Sequence, residues 1–181
     1  TDLLRRPDAP AVLGFVALFK LGEALAGTMA APFYQAMGFD RAAVALATGV
    51  PRLAASLAGA ALGGVLVARL GAGRALVFTG FVQMASMALY FLLAVSGGDP
   101  RLLLAKVVLE GLAEAMADAA FLTFLAGLCA PRHTATQYAL LSSLAALGLH
   151  TVAGFAGFLA APLGWVRFFA LTIFAALPAM L

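Results

Sequence analysis

The stretch that decides the fold is residues 102–130, LLLAKVVLEGLAEAMADAAFLTFLAGLCA. As a helix it would be about 40 Å long, more than the roughly 30 Å of a membrane's hydrocarbon core. Its ionisable side chains come every four residues: Lys106, Glu110, Glu114 and Asp118. Steps of four advance only about 40° around a helix, so these side chains form one slowly winding polar stripe. Because a charge at the lipid-facing centre of a helix costs at least about 2.5–3.5 kcal/mol, the stripe must face protein or water.

The rest of the chain shares this apolar character. Of its 181 residues, 64% are hydrophobic and 10% are charged, and the mean hydropathy is +1.05. A soluble domain carries about 25% charged residues and roughly half apolar ones. The composition therefore excludes a water-soluble globule. It predicts an all-α integral membrane protein, since lipid offers no hydrogen-bond partner to open strand edges.

Turn signals divide the apolar sequence into six segments. Pro32, Pro131 and Pro162 lie at the ends of three of them, and Gly97-Gly98-Asp99-Pro100 closes another. A span needs about 20 mostly apolar residues. We predict six transmembrane helices at about residues 11–33, 42–68, 75–96, 102–130, 137–161 and 165–181.

The basic residues in the short loops predict an orientation. Five fall on one side of the predicted membrane and three on the other. The five on the first side are Arg5, Arg6, Arg69, Arg74 and Arg132. The three on the other side are Arg41, Arg101 and Arg167. The excess places the N-terminus of the chain in the cytoplasm. The chain opens at Thr1 with a polar stretch that has no signal-peptide pattern, so we expect one half of a longer protein.

Small residues and one proline mark where helices meet or bend. Gly59 and Gly63 form a GxxxG spacing, and Gly154 and Gly157 continue the pattern in the fifth segment. Small residues at this spacing let helix backbones approach closely, so we predict packing roles for them. Pro51 lies inside the second segment, where we expect a kink or a freed carbonyl.

The candidate site consists of the ionisable side chains at membrane depth. The bases are Lys20, Arg52 and Lys106, and the acids are Glu23, Glu110, Glu114 and Asp118. If every base pairs with an acid, one carboxylate is left over, and such a group can load a proton on one side of the membrane and release it on the other. We therefore predict that the four acids take part in proton coupling.

A purely structural role is the alternative for some of these charges. Lys20 is close enough in sequence to pair with Glu23. Lys106 has the same relation to Glu110, and both pairs could serve only to hold helices together. Glu114 and Asp118 have no basic residue near in sequence, which favours a function for them.

Other polar residues complete the prediction. Gln137 and Tyr138 open the fifth segment, where they could contact a polar solute or cap and anchor the helix. We predict substrate contacts by Lys20, Arg52, Gln137 and Tyr138. His150 could relay protons near neutral pH or be a hydrogen-bonded structural residue. With one cysteine, Cys129, an internal disulfide and a Cys-rich metal site are excluded, and we predict no cofactor or metal site.

Four stretches resemble known transporters. Residues 64–74, GVLVARLGAGR, resemble the G-x-x-x-D-R-x-G-R-R signature between the second and third helices of each half of a major facilitator superfamily protein. Ala68 stands where that signature has Asp. Residues 19–27, FKLGEALAG, and 135–148, ATQYALLSSLAALG, resemble the seventh and eleventh helices of AmpG-type muropeptide permeases. Residues 37–40, MGFD, resemble the link between their seventh and eighth helices.

The resemblance covers essentially the whole chain and implies the C-terminal six helices of a twelve-helix carrier. It implies proton-driven import of anhydro-muropeptides across the inner membrane for peptidoglycan recycling. The implied partners are an anionic muropeptide, protons, membrane lipid and the missing N-terminal six-helix half. Nucleic acid is not among the predicted partners, because the basic residues never cluster beside aromatics.

Departures from the family pattern keep other cargoes open. The chain has Thr48-Gly49 where the family commonly has Asn-Lys, and Leu149 where an Arg often follows the motif of the eleventh helix. It has Ala115-Met-Ala-Asp118 where the family favours Gly-Met-Gly-Thr. Acetyl-CoA, a sugar or a peptide are therefore alternative cargoes.

Two further classes of protein are alternatives to a carrier. The sequence has no H-E-x-x-H motif and no paired Asp motifs of lipid-phosphate chemistry, so a membrane-embedded enzyme is disfavoured. A structural or signalling subunit is the other alternative, and saturable uptake would argue against it. We predict a secondary active transporter and no enzyme.

Overall fold

The computed structural model of the chain describes residues 14–15, 19, 21–128 and 134–175. Within these ranges the backbone is helical apart from short turns. The helices, in chain order, are α1 Leu21–Ala36, α2 Arg41–Thr48, α3 Val50–Leu70, α4 Ala72–Ser96, α5 Pro100–Leu128 and α6 Thr134–Ala175. The predicted all-α architecture is therefore confirmed for the described part of the chain. Lys20, Cys129 and His133 lie outside it.

Four helical stretches of the described chain are long and apolar enough to cross a membrane. They are Arg41–Leu70, Ala72–Ser96, Pro100–Leu128 and Ala153–Phe174. The first predicted span, residues 11–33, lies partly outside the described residues, and so does the end of the last one. The number of six spans and their assignment to one half of a facilitator fold therefore stay predictions.

The second predicted span is interrupted at Gly49. This residue has φ −77° and ψ −116° and separates α2 from α3. Pro51 lies in the first turn of α3, where its missing N–H is tolerated, whereas farther inside a helix it would remove a hydrogen bond. The Leu53 N–H donates to the Gly49 carbonyl at 3.1 Å, so the helix resumes at once. The break is the kink expected around Pro51.

Glycines with positive φ make two sharp turns, one between α3 and α4 and one inside α6. Gly71 has φ 80° and alone separates α3 from α4, which makes the link inside residues 64–74 very short. Gly164 has φ 69° and breaks α6 two residues after Pro162. Helical geometry continues past the expected end of the fifth segment at residue 161, because one proline removes a single donor while a glycine can turn the backbone.

Glycines also bring α3 and α5 together. A Cβ on Gly59 would overlap the backbone of Leu112, and a Cβ on Gly63 would lie 2.6 Å from the Met116 carbonyl oxygen. The predicted packing role of this GxxxG pair is confirmed. The expected close approach at Gly154 and Gly157 is not seen in the described part of the chain. In that part, a Cβ added to Gly154 would have no atom of another helix within 4 Å. A Cβ added to Gly157 would lie 3.9 Å from the Met29 methyl carbon.

Two apolar clusters form the core. The larger includes Phe33 of α1, Tyr90 of α4 and Phe169 of α6, whose rings are packed together. The rings of Tyr90 and Phe169 stack at 4.5 Å, and Phe33 meets Phe169 edge to face at 4.7 Å. The smaller cluster includes Phe19 and Phe121, stacked at 5.1 Å. These clusters fix α1, α4, α5 and α6 around the polar groups described next.

Candidate functional site

Side chains from five helices line one cavity of about 290 Å³. Its charged or titratable members come from α1, α3, α4, α5 and α6 and are Glu23, Arg52, Tyr90, Glu110, Glu114 and His150. Smaller residues of α1, among them Gly27 and Thr28, complete the wall together with Ala153. Four predicted site residues, Glu23, Arg52, Glu110 and Glu114, therefore meet in one place, although they come from three separate helices.

Arg52 and Glu114 form an ion pair across α3 and α5. The Arg52 Nη2 atom donates to Glu114 Oε2 at 2.6 Å, and the two side chains are 37% and 27% exposed. Gly111 makes the approach possible, since a Cβ there would lie 3.1 Å from Arg52 Cγ and 3.3 Å from Ser56 Oγ. Glu114 therefore has a basic partner, 62 residues away in sequence.

Lys106 is fully buried beneath the cavity. Its Nζ donates to Glu110 Oε2 at 2.7 Å and to the Tyr34 hydroxyl at 2.5 Å. The same Nζ lies 3.3 Å from the centroid of the Tyr90 ring, a geometry that stabilises a desolvated cation. The predicted local pair of Lys106 and Glu110 is confirmed. Lys106 is 0% exposed, whereas Glu110 is 16% exposed and lines the cavity.

Glu23 is joined to α4. Gln83 Nε2 donates to Glu23 Oε2 at 2.5 Å, and Gln83 itself is buried. This hydrogen bond holds a carboxylate of α1 at the edge of the cavity. The predicted pairing of Glu23 with Lys20 involves a residue outside the described ones, so it stays a prediction.

Three other predicted site residues are not among those that line the cavity. Asp118 is half-buried on α5. Each step of four residues turns a helix by about 40°, so Asp118 is rotated by about 80° from Glu110, and the stripe has wound away from the cavity there. Gln137 is buried, and Tyr138 packs against the smaller apolar cluster. Their roles in proton coupling and substrate contact stay predictions.

The sequence interpretation missed three residues of this site. Tyr34 and Tyr90 hold Lys106, and Gln83 holds Glu23. Gln83 could have been found, because a polar amide in the middle of an apolar span is unusual. The two tyrosines gave no such signal, since tyrosine is common both in helix cores and at membrane interfaces.

Known proteins resemble this chain closely. A protein of Rickettsia conorii named transporter AmpG 4 is 36% identical over 179 residues, which are 99% of this chain and 43% of that protein. The anhydromuropeptide permease of Escherichia coli is 35% identical over 181 residues, 99% of this chain and 37% of the permease. The chain thus spans about two fifths of the length of these relatives. No protein-family model matches it. Over nearly all of its length, the chain is homologous to the AmpG-type permeases.

Proposed function

We propose that the chain is the C-terminal six-helix half of a proton-coupled carrier. The whole carrier imports anhydro-muropeptides across the bacterial inner membrane for peptidoglycan recycling, and the N-terminus of this half is cytoplasmic. The names of the relatives, transporter and permease, support a transporter rather than an enzyme. The observation that carries the proposal is the cavity with its charged lining, set among helices apolar enough to cross a membrane.

Arg52 is the substrate-binding residue that this geometry favours. A muropeptide carries peptide carboxylates, and a guanidinium offers five N–H donors to such groups. Arg52 Nη2 is bound to Glu114, and more than a third of the side chain is exposed. A substrate carboxylate can therefore compete with Glu114 for Arg52.

This competition supplies a mechanism of coupling. When Glu114 binds a proton it becomes neutral and its attraction for Arg52 weakens, which frees the guanidinium for the substrate carboxylate. When Glu114 loses that proton it reclaims Arg52, and the substrate is displaced. Glu110, held by Lys106, and Glu23, held by Gln83, are further carboxylates at the same cavity that can exchange protons.

The missing half of the carrier would complete the binding site. A volume of about 290 Å³ is at the lower limit for pockets that bind drug-sized ligands, and a sugar with an attached peptide is a large ligand. In facilitator-type carriers the site lies near the midplane between two repeats. We infer that this cavity forms one wall of the site.

Uptake by membrane vesicles tests the function. Right-side-out vesicles containing the complete gene product should accumulate radiolabelled anhydro-muropeptide in a saturable manner, and a protonophore should abolish the accumulation. Absence of uptake by correctly inserted protein would contradict the proposed cargo. Uptake of labelled acetyl-CoA in the same vesicles would then identify the alternative.

A charge-neutral variant tests the role of Arg52. Arg52→Gln removes a charge-assisted hydrogen bond worth about 1.5–3 kcal/mol, so we expect the KM for uptake to rise by about tenfold or more. Arg101→Gln is the matched control. Arg101 lies at the exposed start of α5, so this substitution makes the same charge change away from the cavity. Equal KM values for the two variants would contradict the assignment.

A further inference from the structure

A second cavity, also of about 290 Å³, lies at the end of α1 and the start of α2. Its lining includes Tyr34 and Gln35 of α1, Phe39 of the turn after it, and Arg41 and Thr48 of α2. Tyr34 is buried, yet it contributes to this lining while its hydroxyl accepts the hydrogen bond from Lys106. Tyr34 therefore has a position between the second cavity and the buried lysine.

Lys106 in turn connects to the first cavity. It has no exposed surface of its own and lines neither cavity, but its partner Glu110 lines the first one. The two hydrogen bonds of its Nζ, 2.5 Å to the Tyr34 hydroxyl and 2.7 Å to Glu110 Oε2, form one continuous chain. The ring of Tyr90 covers the ammonium at 3.3 Å.

We propose that Tyr34, Lys106 and Glu110 form a proton path that joins the second cavity to the first. The proposal rests on the proposed proton-coupled transport and assigns the route by which a proton reaches the charged cavity. A buried ammonium has three N–H donors, so a second acceptor by itself would also suit a purely structural lysine. The path requires in addition that this acceptor lines a separate cavity, and Tyr34 does so.

The proton moves from the second cavity to Glu110 in three transfers. An N–H bond of the Lys106 ammonium breaks and the proton joins the Glu110 carboxylate. The resulting amine takes the hydroxyl proton of Tyr34. The Tyr34 phenolate takes a proton from a hydronium ion in the second cavity. One proton has then moved between the cavities, and Lys106 and Tyr34 have returned to their starting states.

Neighbouring side chains influence proton transfer along this path, but none of them takes the place of the Tyr34 hydroxyl at its start. Tyr90 interacts with both Tyr34 and Glu110, which offers a parallel branch that also begins at Tyr34. Arg52 and Glu114 face Glu110 from the first cavity, so their ion pair influences how readily Glu110 holds the proton. Since both branches start at the Tyr34 hydroxyl, removing that hydroxyl interrupts them together.

The decisive variant is Tyr34→Phe in the complete gene product, reconstituted in proteoliposomes. Anhydro-muropeptide is the substrate in two measurements. The first is proton influx driven by the substrate, followed with a pH-sensitive dye inside the vesicles. The second is counterflow of the radiolabelled substrate, which needs no net proton movement. We expect proton influx to fall by about tenfold or more, with counterflow like that of the wild type. Thr79→Val is the control, because it also removes one buried hydroxyl, bonded only within its own helix in the described structure.

Each other outcome has a distinct meaning. Proton influx in Tyr34→Phe equal to that in Thr79→Val would overturn the path while leaving proton-coupled transport intact. Loss of influx and counterflow together would show a structural role for the hydroxyl and would also overturn it. If the wild type moves substrate without protons, the proton coupling of the proposed function fails along with the path.

Discussion

Replacement of Lys106 by methionine should strongly destabilise the protein. The methionine keeps most of the volume of the side chain but removes the ammonium that neutralises Glu110, which is only 16% exposed. Removing one partner of a buried pair costs about 3–5 kcal/mol. Because Glu110 retains some contact with the cavity, we expect the lower end, about 3 kcal/mol.

A double variant separates the charge from the packing. In Lys106→Met with Glu110→Gln the unpaired carboxylate is gone, so we expect more than half of the lost stability to return. The assay is thermal unfolding of the complete gene product in detergent, with wild type, both single variants and the double variant forming a cycle. A double variant no more stable than Lys106→Met would refute the reasoning, because the loss would then come from packing or from the bond to Tyr34.

Two pairs of glycine variants test the backbone contacts in the same unfolding assay. Gly59→Ala should destabilise the protein by about 1–3 kcal/mol, since the new Cβ would overlap the backbone of Leu112. Gly64→Ala is its control and should be neutral or stabilising, because the space around Gly64 is open. Equal effects of the two substitutions would contradict the α3–α5 packing. Gly71→Ala should cost about 1–3 kcal/mol, because its φ of 80° and ψ of 157° lie in a region that essentially only glycine adopts. Its control, Gly73→Ala, lies within α4 with open space around it and should cost nothing.

The features that could be predicted from sequence are those that depend on local spacing. Helical segments follow from unbroken apolar runs, and a kink near Pro51 follows because a proline inside a continuous helix would remove a backbone hydrogen bond. The GxxxG pair of α3 and the ion pair between Lys106 and Glu110 are set by residues four apart on one helix. In each case the physical cause lies in residues that are close together in sequence.

Features that depend on the packing of distant helices could not be predicted. Glu114 was singled out because no base lies near it in sequence, yet Arg52 reaches it from another helix at 2.6 Å. The glycine pattern alone does not say which partner helix approaches, as the open surroundings of Gly154 in the described structure show. The partners of Lys106 likewise depend on α1 and α4 meeting α5, which fixes Tyr34 and Tyr90 beside it.

The winding of the stripe on α5 links both kinds of feature. Successive members are rotated by about 40°, so one helix presents its charges to different surroundings: Lys106 to the buried tyrosines, then Glu110 and Glu114 to the cavity. A straight stripe would have placed all four charges on the same wall. Because the stripe winds, a buried cation and an accessible carboxylate become adjacent partners on α5. The proposed proton path requires this arrangement, in which the buried Lys106 donates to Glu110 and Glu110 lines the first cavity.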